Sequence, residues 1–465
     1  MSLIALGMCS LFILCLFLRD RKLHPMTSRA LWVPFLWISI IGSKEVSYWL
    51  GAELDAEAAL ASRMDGSPLD RAVFIVLIVA GTVELCRRRI DWKKIVSHNL
   101  WLVLYLLYCG ISILWSDYIF ISTKRYVKDL GNMVMVLVIL TDRFPVRALR
   151  GVFSRYTNFV IPASLLLILF FPDIGTHQDS WSESAANIGV TTNKNELGIV
   201  LVTCGLFLLW DTLEMWKSHA PKVDLVLRGA VLVITLWLLA ITGSATALVC
   251  CSLGAFLVLF QRLPFVQKQL QYVGTYALVT AALFMLLDTF PALSRSLLGM
   301  LGRDLTLTGR TEIWSGLLRE PVNPLVGSGY MNFWLPPVID RYQGITQAHN
   351  GYLETYLNCG VLGLTLLLAM IFFTGARVRR QLLRQDSYGA LMFLFFVVAV
   401  VYNWTEAMFN GLSLIWFILL IAALDCPQQD PEPVLKADPG PVPFDRMAYL
   451  NRVRNRQSTR DLHGE

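Results

Sequence analysis

Apolar stretches of about the length that crosses a lipid bilayer recur from one end of the chain to the other. Thirteen can be read, over roughly 2–18, 31–50, 72–86, 99–115, 127–141, 156–171, 196–210, 225–242, 245–260, 272–288, 361–375, 389–404 and 411–424. Short polar segments separate them, with one exception: about seventy residues, 289–360, lie between the tenth run and the eleventh. That is far longer than an ordinary connection. The pattern predicts an all-α polytopic integral membrane protein with about 12–13 transmembrane helices. It divides the chain into helices with short loops over 1–288, a large loop carrying short helices over 289–360, C-terminal helices over 361–424 and a basic tail over 425–465, expected to be disordered. The first run has no charged region before it and no small-residue cleavage site after it, so it reads as a retained helix and not as a signal peptide.

Charge adds an orientation, because cytoplasmic loops carry the excess of Lys and Arg. Basic residues cluster in alternate loops, among them Arg87, Arg88 and Arg89, then Arg143 and Arg147, then Lys217 and Lys222, then Arg377, Arg379 and Arg380. These loops and the tail are expected inside. The loops around Glu53, around 116–126, around 172–195, at Gly243, over 289–360 and at Glu406 are expected outside, with the N-terminus. Of the 465 residues, 55% are hydrophobic and 16% charged, which excludes an ordinary soluble domain. The net charge of +6 is dispersed over separate loops, so it argues for no nucleic-acid partner. The nine cysteines lie mostly within apolar runs and show no CxxC spacing, which argues against a zinc site or a disulfide framework.

Sorting polar residues by side narrows the chemistry. Only His177 and His349 fall on outward segments. His349 precedes Asn350 and a short helical pattern closed by Gly360, so its imidazole is placed near a helix N-terminus, where the dipole favours a neutral ring able to accept a proton. On spacing alone the plainer reading, a histidine hydrogen-bonding the helix end, is favoured. Upstream, Arg310 precedes Thr311, a candidate helix cap, and Ile313, Trp314, Leu317 and Leu318 follow at helical spacing before Pro321. This predicts a short interfacial helix. Gly327 and Gly329 suit a tight turn or close approach to a ligand. Lys124, Arg125, Lys128 and Lys194 add positive charge on the outward face; singly each reads as a snorkelling anchor, together as a site for an anionic lipid head group. Lys44 and Glu45 stand in the outer half of the second run, either as functional charges or as a pair reaching interfacial water. No HExxH, Walker, GxSxG or EF-hand pattern is present, nor an acidic cluster for a metal-bound phosphate.

The segments ILWSDY, TTNKNELG, TGSATALV, GRTEIW, NPLVGSGYMNFW, AHNGYLETYLNCGVLG and WTEAMFNGLSLIWF follow one another from about 112 to 424. In that order, with a long loop ending in HN, they resemble the bacterial O-antigen ligase and Wzy-type polysaccharide polymerase superfamily, and its exopolysaccharide polymerase branch in particular. The resemblance implies a metal-independent, inverting glycosyltransferase of the bacterial inner membrane, without a cofactor, active at the periplasmic face. Its partners would be an undecaprenyl-diphosphate-linked oligosaccharide donor, a glycan acceptor, the bilayer, and chain-length regulator and export proteins. Under it, His349 activates the acceptor hydroxyl and Arg310 engages the diphosphate, with Arg125, Lys124, Lys194, Asn195, Asn350, Trp314 and Gly329 as substrate-binding candidates. One departure stands out: many relatives carry an arginine beside the serine of the GSATAL segment, where this chain has Ala245 after Ser244.

Polymerase is the favoured reading, since TTNKNELG and GRTEIW look closest to the exopolysaccharide branch. The alternative is a ligase that delivers the same donor to lipid A core or protein. A flippase or transporter would also have many helices and scattered cations, but would be expected to show paired repeats and midplane polar residues. An inert scaffold would tolerate substitution of both His349 and Arg310.

Overall fold

The computed structural model describes residues 2–23, 28–51, 66–178, 185–260, 263–270, 272, 310–336, 338–342, 345–384 and 387–426. The expected tenth run beyond Tyr272, the large loop up to 309, the acidic loop around Glu53 and the tail from 427 lie outside the described residues. In chain order the helices are α1 (Ser2–Leu23), α2 (Trp32–Ile41), α3 (Val46–Trp49), α4 (Pro68–Arg87), α5 (Trp92–His98), α6 (Leu100–Ile111), α7 (Ile119–Leu140), α8 (Pro145–Phe170) and α9 (Pro172–Gly175). A small hairpin follows, β1 (Thr176–Gln178) with β2 (Ala185–Asn187), pairing His177 with Ala186. Then come α10 (Lys194–Lys217), α11 (Lys222–Thr242), α12 (Ala245–Phe260), α13 (Pro264–Leu270), α14 (Arg310–Leu317), α15 (Val338–Arg341), α16 (Gly351–Leu383), α17 (Ser387–Tyr402) and α18 (Leu414–Ala423).

The fold is the all-α polytopic membrane class, as expected. In hydrocarbon every backbone polar group must be satisfied within the chain, and helices do this segment by segment. Among the described residues α1, α8, α10, α11 and α16 are long and apolar enough to cross a bilayer, and α5 with α6, bent by 92°, make a sixth span if taken together. Shorter apolar helices, including α12, α17 and α18, fill the space between. The most apolar windows of α8 and α10 are 72% and 78% buried, whereas that of α1 is 6% buried, so α8 and α10 form the centre and α1 the rim.

The turns gather at two ends. At one, basic residues meet buried carboxylates: Arg155 with Asp20 at 3.1 Å, Arg228 and Arg150 with Asp211 at 3.1 and 2.7 Å, and Arg19 with Asp224. The other end carries the turn after α2, the hairpin, the tight turn at Gly243, the segment 310–350 and the turn holding Glu406. The expected second run does not continue through 50: α2 stops at Ile41, and Lys44 lies in the break before α3. Lys44 is buried, not at water; its N–H donates to the Val190 carbonyl at 2.8 Å, and its ammonium donates to the Ile174 carbonyl at 2.8 Å and to Tyr48 at 3.2 Å. These acceptors replace the water that a buried ammonium would otherwise need. Glu45 beside it is exposed.

A second break positions the site. Gly360, where the short helix was expected to close, has φ 64° and ψ −168° and splits α16 into two halves. The helical ends freed there are satisfied from outside. Val361 and Leu362 N–H donate to the Pro324 and Leu325 carbonyls at 2.9 and 3.1 Å, while Ser328 and Gly329 N–H donate to the Leu357 and Asn358 carbonyls at 3.0 and 2.9 Å. Tyr108 donates to the Cys359 carbonyl at 2.9 Å. The segment 324–329 is thus laced across the break, which is why Gly327 and Gly329 have φ of 73° and 100°. Their close approach is to protein and not to a ligand site: a Cβ on Gly329 would stand 2.8 Å from Ser116 Cα, and one on Gly327 2.4 Å from the Asn358 carbonyl carbon.

Candidate functional site

His349 lies two residues ahead of α16, and its backbone takes the left-handed conformation with φ 50°. That conformation is uncommon for a residue with a side chain. The flanking hydrogen bonds hold it. Ala348 N–H donates to Glu354 Oε2 at 2.9 Å, the Ala348 carbonyl accepts from Trp314 Nε1 at 2.7 Å, and Gly351 N–H donates to the Asn403 carbonyl at 2.8 Å. The short helix beginning after His349 therefore forms as the sequence indicates. Its cap is Asn350, whose Oδ1 accepts from Tyr352 and Leu353 N–H at 3.0 Å each.

The imidazole faces a carboxylate. His349 Nδ1 is 3.2 Å from Glu406 Oε2, and Glu406 is 1% exposed. Asn195 Nδ2 donates to Glu406 Oε1 at 3.1 Å, so α10, the turn after α17 and the loop before α16 converge on one acid. Nearby, Thr246 and Thr405 hydroxyls are 2.9 Å apart, tying that turn to the start of α12. An ionised Glu406 oxygen can only accept, so a neutral His349 facing it would carry its hydrogen on Nδ1 and leave the lone pair on Nε2. Nε2 has no hydrogen-bond partner among the described residues, and the ring is partly exposed. A histidine oriented in this way can take a proton at Nε2.

The segment leading to His349 is anchored deeper in the bundle. Tyr330 donates to Asp129 Oδ2 at 2.7 Å, and Trp416 Nε1 donates to Asp129 Oδ1 at 2.6 Å. Burial, and then the neighbouring Asp129, push the Tyr330 phenol well above its ordinary range, so it stays a donor. At the rim, Glu320 accepts from Tyr342 at 3.1 Å and pairs with Arg341 at 2.9 Å.

A family model described as O-antigen ligase matches residues 230–368, which include α12, α14, His349 and the broken part of α16. The exopolysaccharide production protein ExoQ of Rhizobium meliloti (strain 1021) is 25% identical over 342 residues, which is 67% of this chain and 73% of the relative. Over these stretches the chain is similar to the O-antigen ligase and polymerase superfamily.

The candidate residues fall into two sets. His349 and Asn195 are brought together through Glu406. Trp314 is tied to the same loop by its hydrogen bond to Ala348. Arg125 donates to the Met331 carbonyl, which places it against the 310–350 segment; Lys124 and Lys194 are half-buried at the same end. Arg310 is the first residue of α14, so Thr311 falls inside the helix and is not its cap; the Arg310 side chain lies outside the described residues. Leu317 is buried, whereas Leu318 is 62% exposed. Two candidates are used by the fold. The Asn350 carboxamide caps α16 and donates to the Trp404 carbonyl at 3.3 Å, and Gly329 laces the helix break. Among the described residues no three His, Cys, Asp or Glu side chains converge as metal ligands, and Glu354 and Glu406 are each taken up by nitrogen donors.

Glu406 is the residue that sequence reading missed. Its only signal is being the acid of the last expected outward turn, in WTEAMFNG, and it lies beyond the stretch that the O-antigen ligase model matches.

Proposed function

We propose that this multi-pass protein of polysaccharide biosynthesis is an inner-membrane polysaccharide polymerase. It transfers undecaprenyl-diphosphate-linked oligosaccharide to a sugar hydroxyl of a lipid-linked acceptor, in exopolysaccharide or O-antigen synthesis. The observation that carries the reading is the His349–Glu406 contact, set in a loop within the stretch matched by the O-antigen ligase model. In the proposed step the acceptor hydroxyl oxygen attacks the anomeric carbon, its proton passes to His349 Nε2, and the bond to the lipid diphosphate breaks with its electron pair leaving on phosphate oxygen. Glu406, positioned by Asn195, holds the ring in the accepting tautomer and faces the imidazolium that forms. Arg310 and Arg125 engage the departing diphosphate, and Lys194 or Lys124 substitutes for the arginine that Ala245 does not provide. A single displacement inverts the anomeric centre and needs no metal ion.

In this reading the His349 end faces the periplasm and the C-terminus the cytoplasm, which the alternation of basic loops supports. The Rhizobium relative is an exopolysaccharide production protein, which favours the polymerase reading. The description of the family model favours a second one, a ligase with the same donor and chemistry but a lipid A core or protein acceptor. Incubation of the purified protein with a lipid-diphosphate oligosaccharide separates them. Lengthened lipid-linked glycan is the polymerase result, and transfer only to an added lipid A core is the ligase result.

A further inference from the structure

The peptide unit ahead of His349 is held by side chains on both sides. Ala348 is fully buried, with its N–H on Glu354 Oε2 at 2.9 Å and its carbonyl on Trp314 Nε1 at 2.7 Å. Both partners are themselves fixed. Glu354 Oε2 also accepts from Trp334 Nε1 at 2.8 Å, and Oε1 accepts from Asn358 Nδ2 at 3.0 Å. Ile313 and Leu317 of α14 pack with Ala348, Phe333, Trp334 and Leu357 into a small core separate from that of the bundle.

This arrangement does more than start a helix. Asn350 already caps α16 through Tyr352 and Leu353 N–H. A capping-box carboxylate would stand at the third helical residue and reach back to the cap. Glu354 is the fourth, and it reaches past the cap to the N–H of Ala348. What lies between the two held points is the left-handed His349. Released from its partners, a residue with a Cβ relaxes toward extended or right-handed backbone, which would swing the imidazole away from Glu406.

We propose that Glu354 and Trp314 are positioning residues, a clamp on the Ala348–His349 peptide that keeps His349 in its left-handed conformation with its ring against Glu406. The clamp rests on the reading of His349 as the acceptor-activating base. It also joins the two sides of the reaction. Trp314 stands one turn after Arg310 on α14, so the helix that begins with the donor-side arginine is hydrogen-bonded to the loop of the acceptor-side base.

The test is a double-mutant cycle in the purified full-length protein, with kcat and donor KM measured for Glu354→Gln, Trp314→Phe, His349→Ala and each pair with His349→Ala. Trp314→Phe keeps an aromatic ring in the small core while removing the donating N–H, so it serves if Glu354→Gln fails to fold. A misplaced base should lower kcat by roughly 10- to 10²-fold while donor KM stays within about twofold. Added to His349→Ala, either substitution should cost nothing further, because the clamp acts only through that imidazole. Losses that multiply in the double variants, or wild-type kcat in both clamp variants, would overturn the proposal. Full transfer by His349→Ala alone would instead overturn the base reading, and the clamp with it.

Discussion

Glu406 Oε2 stands 3.2 Å from His349 Nδ1 although the whole of α16 and α17 separates the two residues in the chain. The pair exists because α17 returns antiparallel to α16 and delivers its following turn to the loop where α16 began. Replacing Glu406 with Gln keeps the size but offers an amide N–H as well as an oxygen, so the imidazole can settle in the wrong tautomer. Transfer should fall on the order of 10²-fold or more, by analogy with the loss of a triad carboxylate. Steady-state rates at equal membrane abundance check this; a wild-type rate for Glu406→Gln would mean that the contact does not orient the base.

Arg310→Lys should impair transfer more than its retained charge suggests, because a planar guanidinium can engage two phosphate oxygens where an ammonium cannot. Donor affinity and turnover are the measurements. Unchanged values for both would remove Arg310 from the diphosphate site. Arg125→Lys should show a milder loss, together with a lower thermal midpoint, since Arg125 also holds the Met331 carbonyl.

Gly360→Ala should destabilise the protein by at least about 1–3 kcal/mol, the scale of backbone strain in a region that side chains avoid. Space compounds it: the added Cβ would stand 2.3 Å from the Leu325 carbonyl. Thermal unfolding in detergent reads the effect, and a midpoint equal to that of the wild type would show that the break does not depend on glycine.

Cysteine labelling tests the orientation on which the proposed periplasmic site depends. A cysteine placed at Arg380, at the C-terminal end of α16, should resist an impermeant thiol reagent in intact cells and react once the membrane is opened. Labelling before opening contradicts the assignment of that end to the cytoplasm.

Much of this was legible in the sequence because membrane helices are specified locally, by length and apolarity. The order of runs, the stop at Gly360, and the placing of His349 just ahead of a helix all follow from residues within a few positions of one another. What was not legible depends on partners far away in the chain. Lys44 reads as either a functional charge or one reaching interfacial water until the Ile174 carbonyl, 130 residues on, is seen to receive it. Asn350 reads as a substrate contact until its carboxamide is found capping α16, and Gly329 as a ligand turn until Ser116 is found against it. TTNKNELG does not reveal the role of Asn195, since the acid it holds is 211 positions away.

The most direct measurement compares product formation by His349→Ala and His177→Ala at equal membrane abundance, with lipid-diphosphate oligosaccharide as donor. His177 is exposed on β1, and His349 carries the contact with Glu406. Loss of transfer by about 10²-fold or more in His349→Ala, the usual scale for a positioned general base, with wild-type transfer in His177→Ala, is the expected result. Undiminished transfer in His349→Ala would contradict the account: loss in His177→Ala alone would make His177 the base, and loss in neither would exclude a histidine base.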